Sequence, residues 1–188
     1  MKFSTFALFL LAALPPASLA AQGQDQYAWG LGGGATLTSS VARDNHPRGV
    51  HGLVMIGIGS VDSPFGVRLD GMYTHLTDAD SSAAVATDQG SARVTSIMAN
   101  ILFNVYGSAK RLYVIGGIGG FGYNPSGPGT SAVTDFGVNA GLGIWVPTFN
   151  GFIEARWFNL YRALPDPVTG LKGKKSARLY PVTLGIMF

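Results

Sequence analysis

Cysteine is absent from the 188 residues. That excludes disulfides, thiolate metal sites and a lipidated N-terminal cysteine. Charge is scarce too: charged residues make up 12% of the chain, and Glu154 is its single glutamate. A helical protein would spread Glu, Lys and Ala over its exposed faces, so this composition speaks against helices. A net charge of +3 is too small, and its Lys and Arg too scattered, for a nucleic-acid partner. No run reaches the roughly 18 consecutive apolar residues of a transmembrane helix.

What is present instead is glycine, 27 residues of it, with Thr, Val, Tyr and Phe. That is β composition, with glycine at about twice its usual usage. The opening "MKFSTFALFLLAALPPASLA" reads as a targeting segment. Lys2 supplies the positive start, Phe3 to Leu14 an apolar core, and Ser18 and Ala20 the small residues before a cleavage site. Pro15 and Pro16 oppose a continuous helix there. The expected division is a signal peptide over 1–20 and one exported domain over 21–188.

Eight β-like runs follow, near Gln26–Thr38, Val50–Ser60, Phe65–Thr77, Ala92–Tyr106, Arg111–Asn124, Val133–Val146, Gly151–Arg162 and Arg178–Phe188. Ordinary strands peak near 5–6 residues, whereas membrane-crossing strands need about 9–11, and these runs are of the longer kind. The connections alternate: "SSVARDNHPRG", "DADSSAAVATDQGS", "PSGPGTSA" and "ALPDPVTGLKGKKS" are long, while "VDSP", "GSAK" and "PTFN" are short. Long connections therefore gather at one end of the sheet, as in transmembrane barrels. An even strand number puts both termini at the other end.

Side-chain alternation sets the solvent. In "FGVRLDGMYTH", Val67, Leu69 and Tyr73 share one face, and Arg68, Asp70 and Met72 the other. In "GFIEARWFNLYR", Ile153, Ala155, Trp157 and Tyr161 oppose Glu154 and Arg156. Ile97, Ile101 and Phe103 oppose Ser96, Asn100 and Asn104; Phe136, Val138 and Leu142 oppose Asn139, Gly141 and Gly143. Bulky apolar faces opposite Gly, Asn and charge fit lipid outside and a polar interior. In "RLYVIGGIGGFGYN" either parity carries apolar residues and glycine, so its facing stays open. Tyr27, Trp29, Tyr73, Phe103, Tyr106, Tyr113, Tyr123, Phe136, Trp157, Tyr161, Tyr180 and Phe188 cluster toward strand ends, as interfacial girdles would. The expected fold is all-β, an eight-stranded antiparallel up-and-down transmembrane β-barrel. Pro181 sits awkwardly in a closed ladder, and the outer rim, where pairing ends, is its expected place.

These features, with "GVNAGLG", "GFIEARWFNLY" and the terminal "YPVTLGIMF", resemble the small eight-stranded outer-membrane barrels. That superfamily comprises opacity-type proteins and the transmembrane domain of outer-membrane protein A. The resemblance implies an outer-membrane location, with both termini periplasmic. It also implies handling by periplasmic chaperones and recognition of the last strand, with Tyr180 and Phe188 as the signal, by the barrel-assembly machinery. A monomer in contact with outer-membrane lipid and lipopolysaccharide is expected. Family members with a peptidoglycan-binding domain continue beyond their barrel; the chain stops at Phe188, so that role is not implied.

Four charges form the candidate site: Arg68, Asp70, Glu154 and Arg156. Their strands both start at short turns, and both pairs lie three residues further on, so they should sit at similar depth on opposite walls. A salt-bridge network closing the interior is expected, with a gate or proton path as the alternative. Lys172, Lys174, Lys175 and Arg178 in and after the last long connection suit anionic lipopolysaccharide phosphates, or simply solvent.

Two glycine motifs mimic nucleotide fingerprints, "GLGGGA" at Gly30–Ala35 and "GIGGFG" at Gly117–Gly122. Neither leads into a helix N-terminus, which that chemistry needs, so no nucleotide is expected. The histidines His46, His51 and His75 read as interfacial or loop residues. No cofactor, metal or catalytic residue is assigned. The leading reading is a non-enzymatic structural or surface-interaction barrel. A narrow pore, a lipid A-modifying barrel enzyme and a soluble ligand-binding barrel stand behind it in that order.

Overall fold

The computed structural model describes residues 26–39, 48–59, 64–77, 91–105, 112–125, 132–161 and 176–188. Eight strands carry them: β1 Gln26–Ser39, β2 Arg48–Gly59, β3 Phe65–Thr77, β4 Ala92–Asn104, β5 Leu112–Pro125, β6 Val133–Val146, β7 Gly151–Leu160 and β8 Ala177–Met187. Each strand pairs antiparallel with its sequence neighbours, and β8 closes on β1, so the sheet is an up-and-down barrel without edges. The signal segment 1–20 lies outside the described residues.

The registers fix the barrel's geometry. Ala28 pairs with Gly57, and the row runs on through Arg68, Asn100, Gly117, Asn139, Phe158 and Leu179 to Thr38. One circuit thus returns to β1 ten residues further along, from position 28 to position 38. With a ~3.3 Å rise and strands ~4.8 Å apart, that stagger tilts the strands by about 40°. A 13-residue strand such as β3 then rises roughly 30 Å along the axis, enough for an apolar band about 25 Å tall.

Strand lengths soften the alternation of connections. Residues 105–111 and 126–132 are equal in number, so long and short connections differ clearly only at the other junctions. The β6–β7 connection is the shortest in residues. Its 3₁₀ turn Pro147–Phe149 ends on Asn150 in the left-handed region (φ 53°), where asparagine is one of the few tolerated side chains.

Most of the bulky aliphatic and aromatic residues point outward. Ile56, Val67, Leu69, Ile97, Ile101, Ile118, Leu142 and Leu184 are all exposed on the outer wall. Aromatics ring the β6–β7-turn end, where Trp29 stacks on Phe188 at 4.3 Å and Phe65 meets Phe103 at 5.2 Å. At the other end Phe136 stacks with Tyr161 at 6.1 Å. Tyr113 and Tyr123 belong to neither girdle, because both are buried inside. Tyr106 lies outside the described residues. β5, open from its sequence, turns Tyr113, Ile115, Phe121 and Tyr123 inward and Leu112, Val114 and Ile118 outward.

The interior is not the lining of glycine, asparagine and charge that alternation suggested. Leu53, Met72, Phe121, Phe158, Leu160 and Leu179 form a buried apolar cluster, which continues to Met55 and Phe152. Leu102, Tyr113 and Ile115 form a second one, and Trp145 packs against both. A tube of eight strands has an inner volume that side chains must fill, and short residues alone would leave voids.

Pro181 does not lie at the outer rim. It is buried mid-strand in β8 and pairs with Thr36 of β1. On the β7 side the register runs to Ala155↔Val182 and resumes only at Phe158↔Leu179. The Met187 N–H donates to the Asn150 carbonyl at 2.8 Å, and ladder alternation from that bond puts Arg156 opposite Pro181 in a bonding position. Proline has no N–H to give there, so the ladder is interrupted beside the interior charges.

Candidate functional site

The four charges meet in one layer. Arg68 and Asp70 come from β3, and Glu154 and Arg156 from β7 on the opposite wall. Arg68 Nη2 donates to Glu154 Oε2 at 2.8 Å and to Oε1 at 3.0 Å. Arg156 Nη1 lies 2.7 Å from Asp70 Oδ2, and Arg156 Nε donates to Glu154 Oε1. Arg68 also donates from Nη2 to Asp70 Oδ2 at 3.2 Å. Its Nε comes within 2.9 Å of Asp70 Oδ1 as an ion-pair contact that does not align as a hydrogen bond. Two cations and two anions cancel, and all four side chains are at most 5% exposed.

Sequence reasoning did not find the neutral groups that extend this layer. Tyr113 on β5 donates its hydroxyl to Glu154 Oε2 at 2.7 Å. Asn100 on β4 donates to Asp70 Oδ2 at 2.9 Å, and Asn139 on β6 donates to Asn100 Oδ1 at 2.7 Å. His51 is not a loop or interfacial histidine but a buried interior one. Its Nδ1 is 2.9 Å from Thr36 Oγ1 and its Nε2 is 2.9 Å from Thr183 Oγ1.

One device makes three of these bonds possible. Tyr113 and Glu154 flank Gly143, with which both are in register. Asn100 and Asn139 flank Gly117 in the same way. His51 and Thr183 flank Gly34. In each case the middle strand presents no side chain, so its neighbours join hands over it. The space is already taken: a Cβ on Gly143 would fall 2.1 Å from Tyr113 Cζ, and one on Gly117 2.2 Å from Asn100 Oδ1. Gly34 and Gly117, rejected as nucleotide fingerprints, have this use instead. The signal was readable only as glycine at a register position, which requires the barrel to be closed first.

Apolar layers bracket the polar one. Phe158 lies beyond it toward the β1–β2 end, 5.9 Å under the Arg156 guanidinium. Phe152 lies on the turn side, 5.9 Å from that of Arg68. The guanidinium faces thus rest on aromatic rings while their edges bond carboxylates.

The remaining sequence candidates are scattered. Arg178 is exposed on the outer wall at the start of β8. Lys172, Lys174, Lys175 and His46 lie outside the described residues. Tyr180 faces outward and accepts a 3.4 Å hydrogen bond from the Ser39 hydroxyl. Phe188 pairs its backbone with Trp29, N to O at 2.8 Å and O to N at 3.2 Å. His75 faces outward opposite Arg93, and no carboxylate among the described residues shares that face. Among the described residues no three of His, Asp or Glu gather as a metal site.

An edgeless antiparallel barrel with an apolar outer wall and a paired charge layer inside defines a transmembrane-type barrel. Solved structures bear the same fold. The outer-membrane protein Ail of Yersinia pestis in a phospholipid bilayer nanodisc aligns with 87% of this chain and 100% of its own, at 12% identity and a TM-score of 0.53. Neisserial surface protein A aligns with 87% of this chain and 97% of its own, at 14% identity and 0.51. Ail in complex with the heparin analogue sucrose octasulfate aligns over the same shares, 87% and 97%, at 17% identity and 0.50. No family model and no curated sequence matches the chain. At such identities the likeness is one of fold: this chain has the fold of the small eight-stranded outer-membrane barrels.

Proposed function

We propose that the protein is a non-enzymatic barrel of the outer membrane, closed to solutes, that acts as a structural or surface-interaction module. One observation carries the closure: each charge of the layer has a counter-charge in contact, and buried apolar side chains pack inside the barrel on either side of it. Buried charge paired in this way is a plug, because separating it would expose unpaired ions to a low-dielectric interior. Planar-bilayer recording is expected to give no steps above the bare membrane for the wild type. Steady open channels would sink the closed reading in favour of a pore.

Orientation follows from charge. Arg48, Arg93 and Arg178 face outward, and all three lie at the β1–β2 end. Phosphates of the outer leaflet are a fitting counter-charge for that end. It is also the end from which the Lys172–Lys175 segment leaves, so these lysines and Arg178 are proposed contacts for lipopolysaccharide or other anionic saccharides. Both termini are then periplasmic, Phe188 sits where an assembly factor reaches it, and a cleaved signal peptide delivers the chain. Absence of native cysteine makes the test clean. A membrane-impermeant maleimide is expected to label Ala132→Cys in intact cells, and Thr148→Cys only after the outer membrane is permeabilised. The reverse pattern would invert the topology.

A further inference from the structure

The outer wall of β2, β3 and β4 carries a basic cluster and an apolar hollow side by side. At its β1–β2 end, His75 and Arg93 are directly in register, and Arg48 is opposite Thr77, one step diagonal to His75. Arg48 and Arg93 are exposed and His75 half-exposed on this face. Among the described residues no carboxylate shares the face with them. Two arginines flank the imidazole of His75 there, a set of donors that suits an anion outside the barrel wall.

Directly below, the wall is hollowed. The next row is Gly52, Tyr73 and Thr95, and the one after it is Val54, Gly71 and Ile97. Gly52 and Gly71 are therefore diagonal neighbours, and a Cβ added to either would meet nothing within 4 Å. The missing side chains leave an open groove of about 410 Å³ with almost entirely apolar walls. That falls in the range of about 300–1,000 Å³ of small-ligand sites. Gly122 on β5 has the same open space, but only Gly52 and Gly71 adjoin each other, directly below the arginines.

A cationic cap over an apolar groove in the membrane plane has the shape of one amphiphile. We infer that the outer face of β2–β4 binds a single lipid A molecule, phosphates on Arg48, His75 and Arg93 and one acyl chain in the groove over Gly52 and Gly71. Two arginines with a histidine donor between them match a lipid carrying two phosphates on a saccharide better than one carrying a single phosphodiester. The inference rests on the proposed orientation, which puts this end in the outer leaflet.

The test uses the whole folded protein in phosphatidylcholine nanodiscs doped with bis-phosphorylated lipid A, monophosphoryl lipid A or phosphatidylglycerol, with retained lipid read by native mass spectrometry. Bis-phosphorylated lipid A is expected to be retained, monophosphoryl lipid A less and phosphatidylglycerol least. Arg93→Gln and Arg48→Gln should each lower retention about fivefold, from the electrostatic attraction of one basic residue to an anionic surface. Gly71→Leu should lower it with Arg48, His75 and Arg93 intact, and the space at that position leaves the fold undisturbed, as heat-modifiable gel migration will report. Equal retention of phosphatidylglycerol, or wild-type retention by both Gly71→Leu and Arg93→Gln, would overturn the inference. Lipid A binding with inverted maleimide labelling would keep the site and reject the orientation instead.

Discussion

Glu154→Ala is expected to destabilise the folded barrel by about 3–5 kcal/mol. Glu154 is fully buried and accepts from Arg68, Arg156 and the Tyr113 hydroxyl. Its removal leaves two guanidiniums facing Asp70 alone, so the interior passes from neutral to one uncompensated positive charge. The cost is that of the stranded cation more than of the lost bonds. Urea titration of protein folded in lipid vesicles, followed by tryptophan fluorescence, measures it. The companion variant Arg68→Leu with Glu154→Leu removes one ion of each sign and leaves the contact between Asp70 and Arg156. It is expected to recover most of the loss, since apolar replacement of a whole buried pair is often neutral. If the double variant loses as much as the two single losses added together, stranded charge is the wrong explanation.

Gly143→Ala should be almost as damaging, although it adds one methyl group. That methyl would lie 2.1 Å from Tyr113 Cζ and 2.3 Å from Tyr113 Oη. The ring must leave its place over Gly143, and its 2.7 Å bond to Glu154 goes with it. Overpacking costs about 1–3 kcal/mol, and a hydrogen bond to a charged group about 1.5–3 kcal/mol. A loss of about 3 kcal/mol or more in the same titration is the expected outcome. Gly71→Ala, with open space at its Cβ, should change stability by well under half of that. Tyr113→Ala combined with Gly143→Ala removes the clash, so the two losses should fall short of additivity. Additive losses would mean that the ring does not depend on the glycine.

His51 shows how far a site of this kind can be read from a chain. Its alternation partners along β2, Gly49, Leu53 and Met55, are apolar, so nothing local marks it as an interior polar residue. Its bonding partners are Thr36 and Thr183, in strands 15 and 132 residues away. Arg68 and Glu154 were easier. Each lies three residues from a short turn, and an extended strand is a ruler of about 3.3 Å per residue, so equal counts mean equal depth. Phe158 and Leu160 were hidden for the opposite reason. They share the parity of Glu154 and Arg156, so a face that charge marks as polar carries bulk as well.

Strand number, strand length and the outward stripe of most strands follow from the sequence alone. A side chain in an extended chain has only two directions, and a chain this rich in Val, Ile and Phe at alternate positions has one solvent that suits it. β5 escaped that logic because glycine occupies both parities. Register was decided only by closure: the ten-residue stagger that brings β8 onto β1 sets which residues share a height across the barrel. From it come the glycines over which Tyr113 reaches Glu154, Asn100 meets Asn139 and His51 meets Thr183. Pairing between distant strands carries no local signature, since any two strands offer the same backbone groups, and the closed ladder with its packed interior selects one register among many.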